Sequence, residues 1–284
     1  MVRPRRSVLY LPASNARAIE KARTLACDGV ILDLEDAVSP DAKEAARARA
    51  LAALAAGGWG RRERIVRVNA LGTPWGRDDL AAIAGAEVLP DAVLVPKVDS
   101  ADALSTIRRL LGRADVDLWC MIETPKGVLA AADIATADPR LSCLVAGTSD
   151  LIEDLGGQMT PDRLALLHSL SAIVLAARAA GIDALDGVAL DLADQAGLAA
   201  QCAQGRTLGF TGKTLIHPSQ IEPANAAFGP SPAAVDHARR VIAAYEAAVE
   251  AGKGVAVLDG KLVESLHAAA ARRVLALADA IGAS

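Results

Sequence analysis

Eight short runs of β-branched and leucine residues, most of them ending on a polar or charged side chain, alternate with Ala-rich amphipathic stretches from residue 7 to about residue 230. The runs are Ser7 to Ala13, Gly29 to Leu34, Arg64 to Asn69, Ala92 to Lys97, Leu118 to Glu123, Leu141 to Thr148, Ala184 to Leu190 and Gly212 to His217. Helical patterns follow most of them, as at 40–56, 100–111, 125–135, 161–180 and 194–208, several opened by Pro or Ser where a helix begins. Strands separated by helices pair in parallel, because the helix is the crossover that a parallel pair needs. Eight such units predict an α/β fold of the TIM (β/α)8 barrel type, with reactive side chains at the carboxyl ends of the strands. The barrel is expected over residues 1–230. After Phe228 the pattern changes to a helix at about 233–250, the turn-rich Gly252-Lys253-Gly254, Leu258-Asp259-Gly260-Lys261 and a terminal helix. Residues 231–284 are therefore expected to form a C-terminal helical arm or lid.

Composition narrows the partners. Hydrophobic residues make up 52% of the 284 and aromatics only 2%, so Ala, Val, Leu and Ile must fill the core and base-stacking platforms are not expected. A formal charge of −4 gives no positive field for phosphate backbones, so no nucleic-acid partner is expected. Cys27, Cys120, Cys143 and Cys202 are scattered without metal-knuckle spacing, as expected of reduced thiols in a cytoplasmic protein. Charged residues, Gly or Pro break every apolar stretch before the roughly 18 residues of a membrane span, so no membrane partner is expected. The basic start, Met1 to Arg6, precedes only Val8 to Leu11 before Pro12, too short for a signal-peptide core.

Charge gathers at the ends of the runs. Glu123 closes the fifth and Asp150 follows the sixth, so the barrel places two carboxylates at one mouth, where they suit Mg²⁺ with water and substrate oxygens or stand as solvated loop acids. Gly147, Thr148 and Ser149 form a small polar turn before Asp150 whose N–H groups suit a substrate carboxylate. Arg67, flanked by valines, needs an anion, either a substrate or a structural salt bridge to Asp33 or Glu35. Asp33, Glu35 and Asp36 exceed what Arg67 and Lys97 neutralise, and helix capping by Asp36 or support of metal-bound water fits them as well as direct catalysis. Lys97 is expected to pair with these strand-two acids rather than to form a Schiff base, Asp191 lies at the end of its run, and His217 is expected to be a hydrogen-bonded structural group. No Ser-His-Asp arrangement, P-loop or dinucleotide fingerprint is evident.

Seven segments in order resemble the HpcH/HpaI aldolase and citrate lyase β-subunit family, in its acyl-CoA lyase branch. They are Arg6 to Pro12, Leu32 to Val38, Val66 to Asn69, Val95 to Lys97, Ile122 to Gly127, Gly147 to Leu151, and Gly209 to Lys213 continuing through Ile216 to Gln220. The resemblance implies a TIM barrel, Mg²⁺ held by Glu123 and Asp150, a functional Arg67, and coenzyme A near the first strand, with Arg17 and Lys21 as phosphate contacts or as plain solvated helix charges. It implies a homotrimer or hexamer in which Asp259 of the arm enters a neighbour's active site, although Asp259-Gly260 also reads as an ordinary tight turn. The implied reaction is carbon–carbon cleavage, or formation, of a malyl-, citramalyl- or citryl-CoA thioester, yielding a short acyl-CoA and a 2-oxo acid. The alternatives are a citrate lyase β subunit acting on an acyl-carrier-protein thioester and a non-catalytic regulatory barrel.

Overall fold

Strands that are apolar on both faces have no solvent side and need cover on each. In the structure, a computed structural model that describes residues 3–282, β1 (Ser7–Pro12), β2 (Gly29–Asp33), β3 (Glu63–Arg67), β4 (Ala92–Val95), β5 (Asp117–Ile122), β6 (Leu141–Ala146), β7 (Asp183–Asp186) and β8 (Gly212–Leu215) pair in parallel in chain order. Strand β8 returns to β1, with Val8 opposite Thr214, and closes the barrel. Each expected run holds one strand. Most stop one to four residues before the run does, so the polar ends of the runs are loop.

The intervening helices are α1 (Ala16–Ala22), α2 (Lys43–Ala55), α3 (Gly76–Ala84), α4 (Ala101–Leu111), α5 (Pro125–Leu129), α6 (Ala131–Thr136), α7 (Thr148–Asp154), α8 (Leu167–Ala180), α9 (Gln195–Leu208) and α10 (Ile221–Phe228). The expected helix at 125–135 is broken at Ala130 into α5 and α6. The one expected at 161–180 starts only at Leu167, because Arg163 sits in the left-handed region and residues 164–166 form a 3₁₀ turn. Helix α4 shows the packing rule: Leu104, Ile107 and Leu111 are its buried residues, one face at helical spacing.

The barrel's side chains divide by the two-residue period of a strand. Outward residues such as Leu9, Val30, Leu32, Val66, Val93, Leu118, Leu144 and Ala184 are buried. Inward residues Val8, Ile31, Ile65, Leu94, Trp119, Cys143 and Leu185 form the lumenal core, in which one tryptophan supplies bulk that the aliphatics lack. The amino-end mouth is plugged by Arg5. Its Nε and Nη2 donate to Glu63 at 2.8 and 2.7 Å, its Nη1 donates to Asp183 and to the Ser142 carbonyl at 3.0 Å each, and its Cζ lies 4.9 Å from the Trp119 ring. All four cysteines are free and buried.

The chain falls into two compact units, one spanning Arg5–Ala227 and one holding the residues from Phe228 onward with those before Arg5. In the second, α11 (Pro232–Glu250) packs on α12 (Ser265–Gly282) through Ala238, Val241 and Ala271. Between them lies a hairpin of β9 (Ala256–Leu258) and β10 (Lys261–Val263). Asp259 and Gly260 turn it with φ of 50° and 74°, the paired positive values that a two-residue type I′ turn requires. Among the described residues no helix is long and apolar enough to cross a membrane.

Arg5→Ala strips Glu63 of two charge-assisted contacts in a buried site, and a loss of about 3–5 kcal/mol is expected for the barrel's unfolding in urea. A loss below about 1 kcal/mol would show that the plug is not a stabilising element.

Candidate active site

At the carboxyl end the inward parity that buries Ile31, Ile65 and Met121 carries on to Asp33, Arg67 and Glu123. Asp33 and Arg67 are register partners on β2 and β3. Their side chains form a two-pronged ion pair, Arg67 Nε to Asp33 Oδ1 at 2.7 Å and Nη2 to Oδ2 at 2.6 Å. Arg67 Nη1 lies 2.7 Å from Glu35 Oε2 and 3.7 Å from Asp36 Oδ2, and its Cζ lies 4.9 Å from the Tyr10 ring. The Glu35 contact lacks hydrogen-bond geometry, since Oε2 has no hydrogen-bond partner. Burial pulls the Arg67 guanidinium down and Asp33 more than offsets it, so it stays charged. Burial also pushes the Glu35 carboxyl up to about 8, outweighing Arg67. The Lys43 ammonium of α2 fixes this loop by donating to the Leu34 and Glu35 carbonyls at 2.8 and 2.7 Å.

Across the mouth stand Glu123 and Asp150. Glu123 Oε1 accepts from the Lys97 backbone N–H at 2.8 Å. Lys97 adopts φ of 53°, a conformation costing about 1–2 kcal/mol for a residue with a Cβ. The strain is localised where the backbone must turn its N–H to Glu123. Burial, then the neighbouring Asp150 charge, raises the Glu123 carboxyl to about 7. Gly147 is required here, because a Cβ on it would lie 2.3 Å from Glu123 Cβ and 2.6 Å from Oε2. The Lys97 ammonium is hydrogen-bonded to Asp150 Oδ2. The expected pairing of Lys97 with the strand-two acids is thus corrected: Arg67 already holds Asp33, and the left-handed turn at Lys97 directs its side chain to Asp150.

These groups open on a cavity of about 390 Å³. Tyr10, Met121 and Thr214 form its floor inside the strands, and Asp36, Ser149 and Asp150 stand at its rim beside the apolar Val188 and Leu190. Arg67 lines the cavity, with its Nη1 set against Glu35. Gly147, Thr148 and Ser149 lie on the wall, at the start of α7. His217 is not on the wall; its Nδ1 accepts from the Ser219 N–H at 3.2 Å and it caps a 3₁₀ turn. Asp191 is exposed and accepts from the Ala193 and Asp194 N–H groups. Arg17 and Lys21 lie one turn apart on α1, both exposed. Asp259, in its own unit, accepts from Arg240 Nη2 at 2.5 Å.

Sequence reasoning missed Tyr10 and the buried Asp186 cluster. Asp186 pairs with Arg163 at 2.7 Å and Lys213 at 3.1 Å outside the lumen, and the Lys213 ammonium also donates to the Gly187 carbonyl, fixing the loop that carries Val188. The signal for Tyr10 was available: it stands two residues after Val8, on the same inward parity.

Two facing carboxylates with a lysine ammonium at one of them form a place built to hold positive charge. Among the described residues no group of three or more metal-ligating side chains exists. That pattern fits Mg²⁺, which takes one or two carboxylates and keeps waters and substrate oxygens for its other positions. The Lys97 side chain is about half exposed.

The HpcH/HpaI aldolase/citrate lyase profile matches residues 6–218. A (3S)-malyl-CoA thioesterase of Cereibacter sphaeroides is 52% identical over 280 residues, covering 99% of this chain and 96% of that protein. The L-malyl-CoA/beta-methylmalyl-CoA lyase of the same species is 37% identical over 309 residues, covering 99% and 96%. Among solved structures, protein CitE of Mycobacterium tuberculosis in complex with magnesium, acetoacetate and coenzyme A superposes with a TM-score of 0.79 at 34% identity, over 96% of this chain and 97% of that one.

Protons and a cation compete for Glu123. Since burial and Asp150 raise its carboxyl to about 7, Mg²⁺ affinity measured by calorimetry is expected to weaken as pH falls from about 8 to about 6 and to be lost in Glu123→Gln. Affinity flat across that range would remove Glu123 from the metal site.

Proposed function

The chain belongs to the HpcH/HpaI aldolase/citrate lyase family, and from that premise we propose that it is a Mg²⁺-dependent enzyme that hydrolyses the thioester of a 3-hydroxyacyl-CoA of the malyl type. The observation that carries this is the 52% identity to a malyl-CoA thioesterase over nearly the full length of both chains, with Arg67, Glu123 and Asp150 all on one cavity. Hydrolysis was not among the sequence expectations. A second reading, carbon–carbon cleavage of the same substrate, is favoured by the lyase at 37% identity and by Arg67, a cavity-lining guanidinium that suits the carboxylate of a 2-oxo acid.

In this proposal Glu123 and Asp150 hold the ion, which when bound polarises substrate oxygen and stabilises the negative charge that develops there. Asp33 grips one edge of the Arg67 guanidinium through two hydrogen bonds, so its charge and direction are fixed before substrate arrives. Arg67 then orients the acid end of the malyl group, and the Lys97 backbone keeps Glu123 aimed at the cavity. The Gly147 to Ser149 segment lines the same cavity and is proposed to contact a substrate carboxylate. Hydrolysis adds the oxygen of water to the thioester carbon, breaks the C–S bond and releases coenzyme A as the thiol with malate. Cleavage instead removes the 3-hydroxyl proton and breaks the C–C bond, and its electron pair enters the thioester enolate, which is protonated to acetyl-CoA as glyoxylate departs. Arg17 and Lys21 are proposed phosphate contacts for coenzyme A. Asp259 is proposed to serve proton transfer in the site of a neighbouring copy within a trimer or hexamer.

Malyl-CoA offered to the purified chain with Mg²⁺ is expected to give malate and free coenzyme A, read by chromatography. Acetyl-CoA and glyoxylate would select the second reading, and turnover of no malyl-, citramalyl- or citryl-CoA would overturn both. Glu123→Gln and Asp150→Asn are each expected to lower turnover by about a hundredfold or more with the fold kept.

Mixing tests Asp259. Oligomers assembled from inactive Asp259→Asn and inactive Glu123→Gln chains should regain part of the activity, because some sites then join an intact barrel to an intact arm. Verified mixed oligomers without recovery would return Asp259 to the role of a turn residue.

A further inference from the structure

Tyr10 lines the cavity from β1, and the Asp33–Arg67 pair does not account for its hydroxyl. The ring is held on two sides, packed against the lumenal core below and covered by the Arg67 guanidinium at 4.9 Å. No described residue hydrogen-bonds the hydroxyl, and the half-buried Tyr10 lines the cavity. A tyrosine hydroxyl this deep normally has a partner.

Its chemistry selects what that partner can be. Burial raises the phenol well above its ordinary range, and the Asp33, Glu123 and Glu35 charges add to this against Arg67, so the group keeps its proton and can donate. Asp33 is already engaged by Arg67 and Glu123 by Lys97. The missing partner is therefore an acceptor delivered from outside. A cavity of about 390 Å³ suits the small acid end of a thioester substrate.

We propose that Tyr10 is a further catalytic residue, whose hydroxyl donates a hydrogen bond to a carboxylate or carbonyl oxygen of the substrate's acid end and stabilises the charge that builds on it during the reaction. This rests on the function proposed above for the same cavity. It adds a neutral donor where Arg67 is largely compensated by Asp33, and a donor aimed at a developing oxyanion contributes more in a dry site than in water.

Tyr10→Phe isolates the hydroxyl, because phenylalanine keeps the ring, the core packing and the face beneath Arg67. With malyl-CoA and Mg²⁺, kcat is expected to fall about ten- to a hundredfold while KM stays within about threefold and the melting temperature is unchanged. In a second arm, pyruvate is titrated into both proteins with Mg²⁺ present, and Tyr10→Phe should bind it at least about fivefold more weakly. A wild-type chain inactive on every thioester but showing this difference in pyruvate binding would sink the proposed function and keep the Tyr10 assignment. An active wild type matched by Tyr10→Phe in both arms would do the reverse. Pyruvate binding that is equal in the two proteins, or absent from both, with no activity in either would overturn the Tyr10 assignment as well.

Discussion

A guanidinium inside a β-barrel is tolerated only if its charge is answered in place, and the Arg67–Asp33 pair is the interaction on which the open end of this barrel depends. Both side chains are buried and both sit on the lumenal parity of adjacent strands at the same register. Separating two such charges from water costs several kcal/mol per ion, which a two-pronged geometry offsets better than a single contact. Once Asp33 is committed to Arg67, Glu35 is left with a close contact of poor geometry and an elevated pKa. Lys97 is then free to face Asp150. The charge pattern of the mouth follows from that one pairing.

The two ends of the lumen use the same chemistry for opposite purposes. Arg5 has hydrogen bonds on Nε, Nη1 and Nη2, to Glu63, Asp183 and Ser142, and stacks on Trp119, so it closes the amino end. Arg67 gives Nε and Nη2 to Asp33 and sets Nη1 against Glu35, and it lines the cavity at the carboxyl end. Stability and reactivity are thereby separated along the barrel axis, as expected where active sites gather at the carboxyl ends of strands.

Much of this was legible before the structure. The eight strands were readable because a parallel strand buried on both faces writes an almost uninterrupted apolar run, and Asp33, Arg67 and Glu123 were readable as charges that break such runs at their ends. Pairing was not. Whether Lys97 would meet Asp33 or Asp150 depends on a backbone conformation at Lys97 that no propensity favours for lysine. The Asp186–Lys213–Arg163 cluster was hidden because Arg163 and Lys213 lie 23 and 27 positions from Asp186, one in the turn before α8 and the other across the β7–β8 register. Tyr10 was overlooked because an aromatic in a strand reads as core until the cavity above it is seen.

We propose that Glu123 and Asp150 together form a cation site in the cavity that Arg67 also lines. Anomalous diffraction from crystals grown with Mn²⁺ in place of Mg²⁺ and soaked with malyl-CoA tests it most directly. The predicted result is a single strong peak bonded to both carboxylates, with the Lys97 ammonium displaced from Asp150 and the Arg67–Asp33 pair unmoved. No peak at the two carboxylates under saturating Mn²⁺, with Lys97 still bound to Asp150, would contradict the account.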